Sequence, residues 1–186
     1  MTRIVGIAGS LRRQSFNLRL LHAAQGLMPD GTTLETHTIE GVPLYNADEE
    51  SASGLPPAVL ALKEAIVGAD GLLLATPEYN NGIPGVFKNA IDWLSRPPED
   101  IGRIFGGRPT AVIGASPGNF GTILAQDAWL PVLRTLGARP WFEGRLMASR
   151  AATLFDGSGK LVDEPTRKRL QAFLKDFAAF VAAQKG

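Results

Sequence analysis

The chain of 186 residues contains no cysteine. Disulfides, thiolate nucleophiles, iron–sulfur clusters and cysteine-ligated zinc are therefore excluded. Histidine is almost as scarce: only His22 and His37 are present, one in a helical pattern and one in a strand pattern, so no metal site is expected. Neither sign of charge is in excess, because 19 Lys and Arg stand against 18 Asp and Glu. A net charge of +1 offers no basic field for nucleic acid or a membrane surface, and any anion must be recognised locally. Long apolar runs are missing too, and the N-terminus enters a strand without a basic and apolar leader. A cytoplasmic protein with no membrane segment is the expectation.

What is present is the composition of a folded domain, with 45% hydrophobic and 20% charged residues in a length that suits one domain over residues 1–186. Residues 3–8 are almost continuously apolar, as in a central parallel strand buried on both faces. Leu18, Leu21, His22 and Gln25 follow with helical spacing, and Pro29, Asp30 and Gly31 stop the helix. Residues 33–39 read as a more polar strand near a sheet edge, and 41–57 as a long exposed acidic loop. A helix then runs from Pro57 to about Gly68, followed by a second buried strand, GLLLATP. VFKNAIDWLSR is helical, with Trp93 extending its packed face or touching another subunit. Residues 97–108 read as a turn-rich connector and 108–116 as a third buried strand. A helix over 122–136 should kink or restart at Pro131. Residues 138–147 form a weaker strand, and a turn at 155–163 leads to a last helix starting at Asp163 and Pro165.

Three strand ends carry unusual loops. GSLRRQSFN (9–17) follows the first strand: Gly9 allows a tight turn, while Ser10, Ser15 and Asn17 place donors where the free N–H groups of the next helix also point. Arg12 adds a fixed positive charge. This is neither GxGxxG nor GxxxxGK[ST], so an anion seated here is held by hydroxyls and backbone. In PEYNNGIPG (77–85), Pro77 and Pro84 stiffen the chain while Gly82 and Gly85 permit close approach. Its amides suit the edge of a flat heteroaromatic ring, with Tyr79 as a face or rim contact; the plain alternative makes Glu78 and Asn80 capping residues. SPGNFG (116–121) is a third permissive loop, with Ser116 and Asn119 as donors.

Strand and helix alternate five times, which predicts a parallel sheet covered on both faces. In the flavodoxin-like three-layer sandwich, a five-stranded sheet of order 2-1-3-4-5, the three loops would meet beyond the carboxyl ends of strands 1, 3 and 4. A phosphate seat facing ring-edge amides is the geometry for a mononucleotide with a large planar ring.

At this point the chain resembles the NADPH-dependent FMN reductase family, on GSLRRQSFN and PEYNNGIPGVFKNAIDWLSR and, more weakly, on PLYNADEE and SPGNFG. The resemblance implies an FMN site built from Ser10, Leu11, Arg12, Ser15, Phe16 and Asn17 around the phosphate, and Pro77, Glu78, Tyr79 and Asn80 around the isoalloxazine ring. Ser116, Pro117 and Gly118 would close the other side. It also implies NADPH or NADH as co-substrate, a ping-pong order, a small-molecule acceptor such as a quinone, chromate, an azo compound or free flavin, and a homodimer or homotetramer. The flavin carries the chemistry, so no catalytic acid or base is assigned. Where relatives commonly have a second glycine and a nearby arginine, this chain has Thr122, Ala125 and Gln126. A flavodoxin-like electron carrier would use the same fold and cofactor, but carriers are typically strongly acidic and this chain is near neutral. A receiver-type signalling domain would need acids at the end of strand 1, where Gly9, Ser10 and Leu11 stand.

Overall fold

A computed structural model describes residues 1–184. The strands are β1 (Thr2–Ala8), β2 (Thr32–Thr38), β3 (Gly71–Ala75), β4 (Pro109–Ala115), β5 (Arg139–Pro140) and β6 (Leu146–Ala148). All pair in parallel in the order β2-β1-β3-β4-β5, with β6 continuing on β4 beyond β5. The more polar β2 lies at the edge, as its composition predicts.

Among the described residues there are seven α-helices: α1 (Phe16–Gln25), α2 (Ala47–Ser53), α3 (Pro57–Val67), α4 (Gly85–Leu94), α5 (Ile101–Ile104), α6 (Ile123–Thr135) and α7 (Glu164–Ala182). Side chains along β1 alternate between two cores. Ile4 and Ala8 join Leu20 and Leu21 of α1 and Leu170, Leu174 and Phe177 of α7. Val5 and Ile7 join Val59 and Leu62 of α3, Phe87 and Ile91 of α4, and Trp129 and Leu133 of α6. This is the flavodoxin-like three-layer sandwich, and its central strands β1, β3 and β4 are apolar on both faces because helices cover both.

Three segments differ from the sequence reading. The segment 41–57 contains α2, which buries none of its residues and so shows no apolar period. Asn46 caps it by accepting from the Asp48 N–H at 3.0 Å, and Asp48, Glu49 and Glu50 complement the helix dipole in its first turn. The segment is pinned onto α4: Tyr45 N–H donates to Asn89 Oδ1, while the Asn89 amide and the Trp93 indole N–H both donate to Pro43 O. Trp93 is 1% exposed, so it packs within this chain rather than against another subunit. The connector 97–108 holds the short α5, whose Ile104 is fully buried, and is tied down by an ion pair between buried Lys63 and Asp100 at 2.6 Å. That contact, reinforced by Arg103, holds the Asp100 carboxyl below its usual range.

Pro131 neither restarts nor ends α6, which runs unbroken through it. The expected strand 138–147 is split into β5 and β6. Between them Trp141 turns into the core against Phe173 and Phe177, with ring centroids 4.9 and 5.6 Å away, and it packs so closely over Gly144 that a Cβ there would fall 2.5 Å from its ring.

Candidate functional site

β1, β3 and β4 end side by side, and the chain leaves them by the loops after Ala8, Ala75 and Ala115. These loops enclose a crevice of about 160 Å³ walled by Ser10, Arg12, Ser15, Phe16, Asn17, Pro77, Glu78, Tyr79, Ala115, Ser116 and Pro117. Ten of the thirteen residues expected from sequence are in that wall. Leu11 is exposed beside it, Asn80 sits at a turn, Gly118 lies just outside, and Ala115 is an addition. A hollow of about 250 Å³ between α6 and the segment from Pro140 to Arg145 includes Thr110, at the opposite end of β4, and none of the three loops. We place the site where the loops converge.

The loop after β1 does not turn sharply at Gly9. Its N–H donates to Ala75 O at 3.0 Å and extends the β1–β3 ladder by one residue. Glycine is required there because a Cβ would stand 2.0 Å from the Phe87 ring. Ser10 Oγ accepts from the Arg12 N–H at 3.2 Å, and the Tyr79 hydroxyl lies 3.5 Å from it, at the outer limit of a hydrogen bond between the first and second loops. Ser15 caps α1, its Oγ accepting from the Leu18 N–H at 3.4 Å. The Phe16 and Asn17 N–H groups stand in the free first turn of α1, which carries no acidic residue. The Arg12 guanidinium lies 5.6 Å from the centre of the Phe16 ring, at cation–π distance.

Asn17 has a different task from the one its position in the motif implies. Its Oδ1 accepts from the Ala115 N–H at 2.8 Å, and its Nδ2 donates to Ala115 O at 2.9 Å. The reason lies in the sheet. Ile113 O accepts from the Thr76 N–H, after which the chain turns away at Pro77. Two residues on, Ala115 points both backbone groups to the same side, where no strand remains. The Asn17 amide supplies the acceptor and donor that the next strand residue would have supplied. Its side chain therefore fastens the first loop to the third, and one Nδ2 hydrogen is left for anything in the crevice.

Glu78 is similarly committed. Its Oε2 accepts from the Leu124 and Ala125 N–H groups at 2.8 and 2.9 Å, capping α6 from the second loop. Its carboxylate is thus turned to a helix N-terminus, which leaves the loop backbone to meet a ring. Asn80 and Asn81 both have positive φ, 50° and 62°, and Tyr79 and Gly82 exchange backbone hydrogen bonds around them. This is a two-residue hairpin of type I′, for which asparagine is suited. In the third loop Ser116 Oγ donates to Gly121 O and accepts from the Gly118 N–H. Thr122 and Ala125 are fully buried, and the Gln126 amide donates to Thr122 Oγ1 and Leu146 O. Of these three departures from the usual pattern, Gln126 ties α6 to β6 and Thr122 accepts from it, and none of the three is in the crevice wall.

The donors fit a phosphate monoester carrying a flat ring. Hydroxyls, a guanidinium and free amides face one side, stiff backbone faces the other, and the only carboxylate in the wall is engaged elsewhere. Among the described residues no group of acids and histidines is arranged to hold a metal, and no helix is long and apolar enough to cross a membrane.

Sheet order and crevice together place the protein in the flavodoxin-like class. The family model for NADPH-dependent FMN reductases matches residues 2–153, and the chain belongs to that family. It is 45% identical to an NAD(P)H-dependent FMN reductase of Pseudomonas aeruginosa, over 99% of this chain and 97% of the relative. It is 41% identical to a 2-hydroxy-1,4-benzoquinone reductase of Burkholderia, over 96% of each. Among solved structures it superposes on FerB, a flavoenzyme NAD(P)H:acceptor oxidoreductase of Paracoccus denitrificans, with a TM-score of 0.85, 35% identity and 98% of both chains covered. The protein is an FMN-dependent NAD(P)H oxidoreductase.

Proposed function

We propose that the crevice is the FMN site, that NAD(P)H and a quinone-type acceptor use its opening in turn, and that the protein works as a cytoplasmic homo-oligomer. When bound, FMN supplies the hydride relay between the nicotinamide and the acceptor. The protein's part is to bind, orient and stabilise. Ser10, Ser15, Arg12 and the first-turn amides of α1 hold the phosphate; the Arg12 charge and the helix dipole act on it together. Backbone amides of the 77–80 turn meet the ring edge, where fixed donors favour negative charge without reorganising. Tyr79, about half exposed, lies at the rim. Ser116 and Pro117 form the opposite wall.

The observation that carries this reading is the meeting of three separate strand-end loops around one crevice with a cation and hydroxyls in its wall. Curated relatives named quinone reductase support the acceptor class. The test is the visible spectrum of purified protein reconstituted with FMN, followed by anaerobic NADPH or NADH and then a benzoquinone. A bound-flavin band that bleaches and returns with the quinone is expected. A bound band that neither nicotinamide bleaches would point to an electron carrier, and no bound band would overturn the assignment of the crevice.

A further inference from the structure

We propose that Arg150 is a second phosphate-binding cation of the crevice, held at its rim in a left-handed backbone conformation so that its guanidinium meets a phosphate of the bound nucleotides. The inference rests on the crevice being the FMN site.

Among the described residues only three other than glycine have positive φ. Two are Asn80 and Asn81, which tolerate it; the third is Arg150 at 52°. A long branched-headed cation gains nothing locally from that conformation, and glycine would adopt it with less strain. Such a conformation persists only when the surroundings fix it. They do: the Arg150 N–H donates to Gly118 O at 2.9 Å, and Arg150 O accepts from the Thr153 N–H and hydroxyl at 2.9 and 3.0 Å.

The segment that follows spans the gap between two walls of the site. Ala151 N–H donates to Ser116 O in the third loop, and Phe155 stacks on Phe16 of the first, with centroids 6.1 Å apart. Arg150 is therefore anchored beside the seam between the third loop and the first, the loop that carries the phosphate seat. Its guanidinium, with five N–H donors, has one partner among the described residues, the neutral Asn119 Oδ1 at 3.1 Å, and forms no ion pair there. A cation parked on a neutral amide oxygen gives up little when a phosphate arrives.

Two sources of phosphate would use this chemistry, FMN itself and the nicotinamide dinucleotide. The test compares wild type with Arg150→Gly, Arg150→Lys and Asn119→Ala. Apo-protein is titrated with FMN and with riboflavin, which lacks the phosphate, and the reconstituted enzymes are assayed with NADPH and NADH. Arg150→Gly is expected to melt at or above the wild-type temperature while losing about tenfold or more in phosphate affinity, the loss of one charge-assisted hydrogen bond. If the contact is with FMN, FMN affinity falls and riboflavin affinity holds. If it is with the dinucleotide, both flavin affinities hold and KM for NAD(P)H rises at constant kcat. Arg150→Lys should recover part of either loss, and Asn119→Ala should change neither. The proposal is overturned if Arg150→Gly leaves all these values unchanged, if it weakens riboflavin as much as FMN, or if Asn119→Ala reproduces it, which would make Arg150 a mere anchor for the third loop. Failure of wild type itself to bind FMN would instead refute the crevice assignment.

Discussion

Replacing Asn17 with alanine should destabilise the fold itself, not only the phosphate loop. The side chain is 3% exposed and makes two short bonds to the backbone of Ala115, itself 2% exposed. Truncation leaves a buried N–H and a buried C=O without partners, at about 1–3 kcal/mol each. Water entering from the crevice, which both residues line, recovers part of that. A loss of roughly 2–4 kcal/mol remains, equivalent to a melting temperature lower by roughly 5–15 °C for a domain of this size. Thermal unfolding of the apo-protein by circular dichroism reads this without any flavin. Asn17→Asp sharpens the test: one oxygen still accepts from Ala115 N–H, but the other faces Ala115 O with no hydrogen between them, so the aspartate variant should be nearly as unstable at neutral pH. A melt within about 2 °C of wild type for Asn17→Ala would refute the idea that this amide replaces a missing strand.

Other groups of the site separate binding from stability. Arg12→Ala should weaken FMN binding by about 1.5–3 kcal/mol with little change in melting temperature, since among the described residues the one partner of its guanidinium is the Phe16 ring at cation–π distance; fluorescence titration checks this. Glu78→Ala should lower stability by about 1–2 kcal/mol through the lost cap on α6, with Glu78→Gln intermediate, as read by urea unfolding. Gly9→Ala should overpack against Phe87 by about 1–3 kcal/mol, and Phe87→Leu in the same chain should recover part of the loss, a non-additivity that a double-mutant cycle measures. Asp163 caps α7, and its hydrogen bonds from Thr166 hold its carboxyl below the usual range. That stabilisation is present above the ordinary carboxylate pKa and is lost as pH falls through the lowered value. The urea midpoints of wild type and Asp163→Ala should therefore begin to converge as pH falls below about 4 and meet only below the lowered value.

Much of this architecture is legible in the sequence because parallel strands covered on both faces leave near-continuous apolar runs, such as IVGIA and GLLLA, and because glycine and proline punctuate the strand ends. The elements that escaped are those whose reasons are not periodic. Helix α2 buries nothing and is held by Tyr45, Asn89 and Arg96, none of which a hydrophobic pattern marks. The break between β5 and β6 follows from Trp141 turning inward, a choice set by Phe173 and Phe177 more than 30 residues away. One signal was available: Asn-Asn followed by glycine after Tyr79 is turn chemistry for positive φ at two successive residues, which the structure realises as a hairpin.

The site also shows why a motif locates function better than it assigns roles. GSLRRQSFN, PEYN and SPG do converge, yet the polar side chains in them that look most ligand-like are partly spent on the fold. Asn17 completes β4, Glu78 caps α6, and Ser116 closes its own loop. Diverging strands open the crevice, and the same divergence strands backbone groups that must be satisfied in the interior. Side chains at the strand ends satisfy them, so the residues that create the crevice cannot all be the residues that fill it. What remains for a ligand is backbone N–H of α1 and of the 77–80 turn, the hydroxyls of Ser10 and Ser15, and the arginines at the rim. A site made mostly of backbone donors recognises a phosphate and a ring edge by shape and position, and its specificity then rests on the few cations placed around it. Arg12 and Arg150 are accordingly where substitution should change what binds, while Asn17 and Glu78 are where it should change whether the crevice forms.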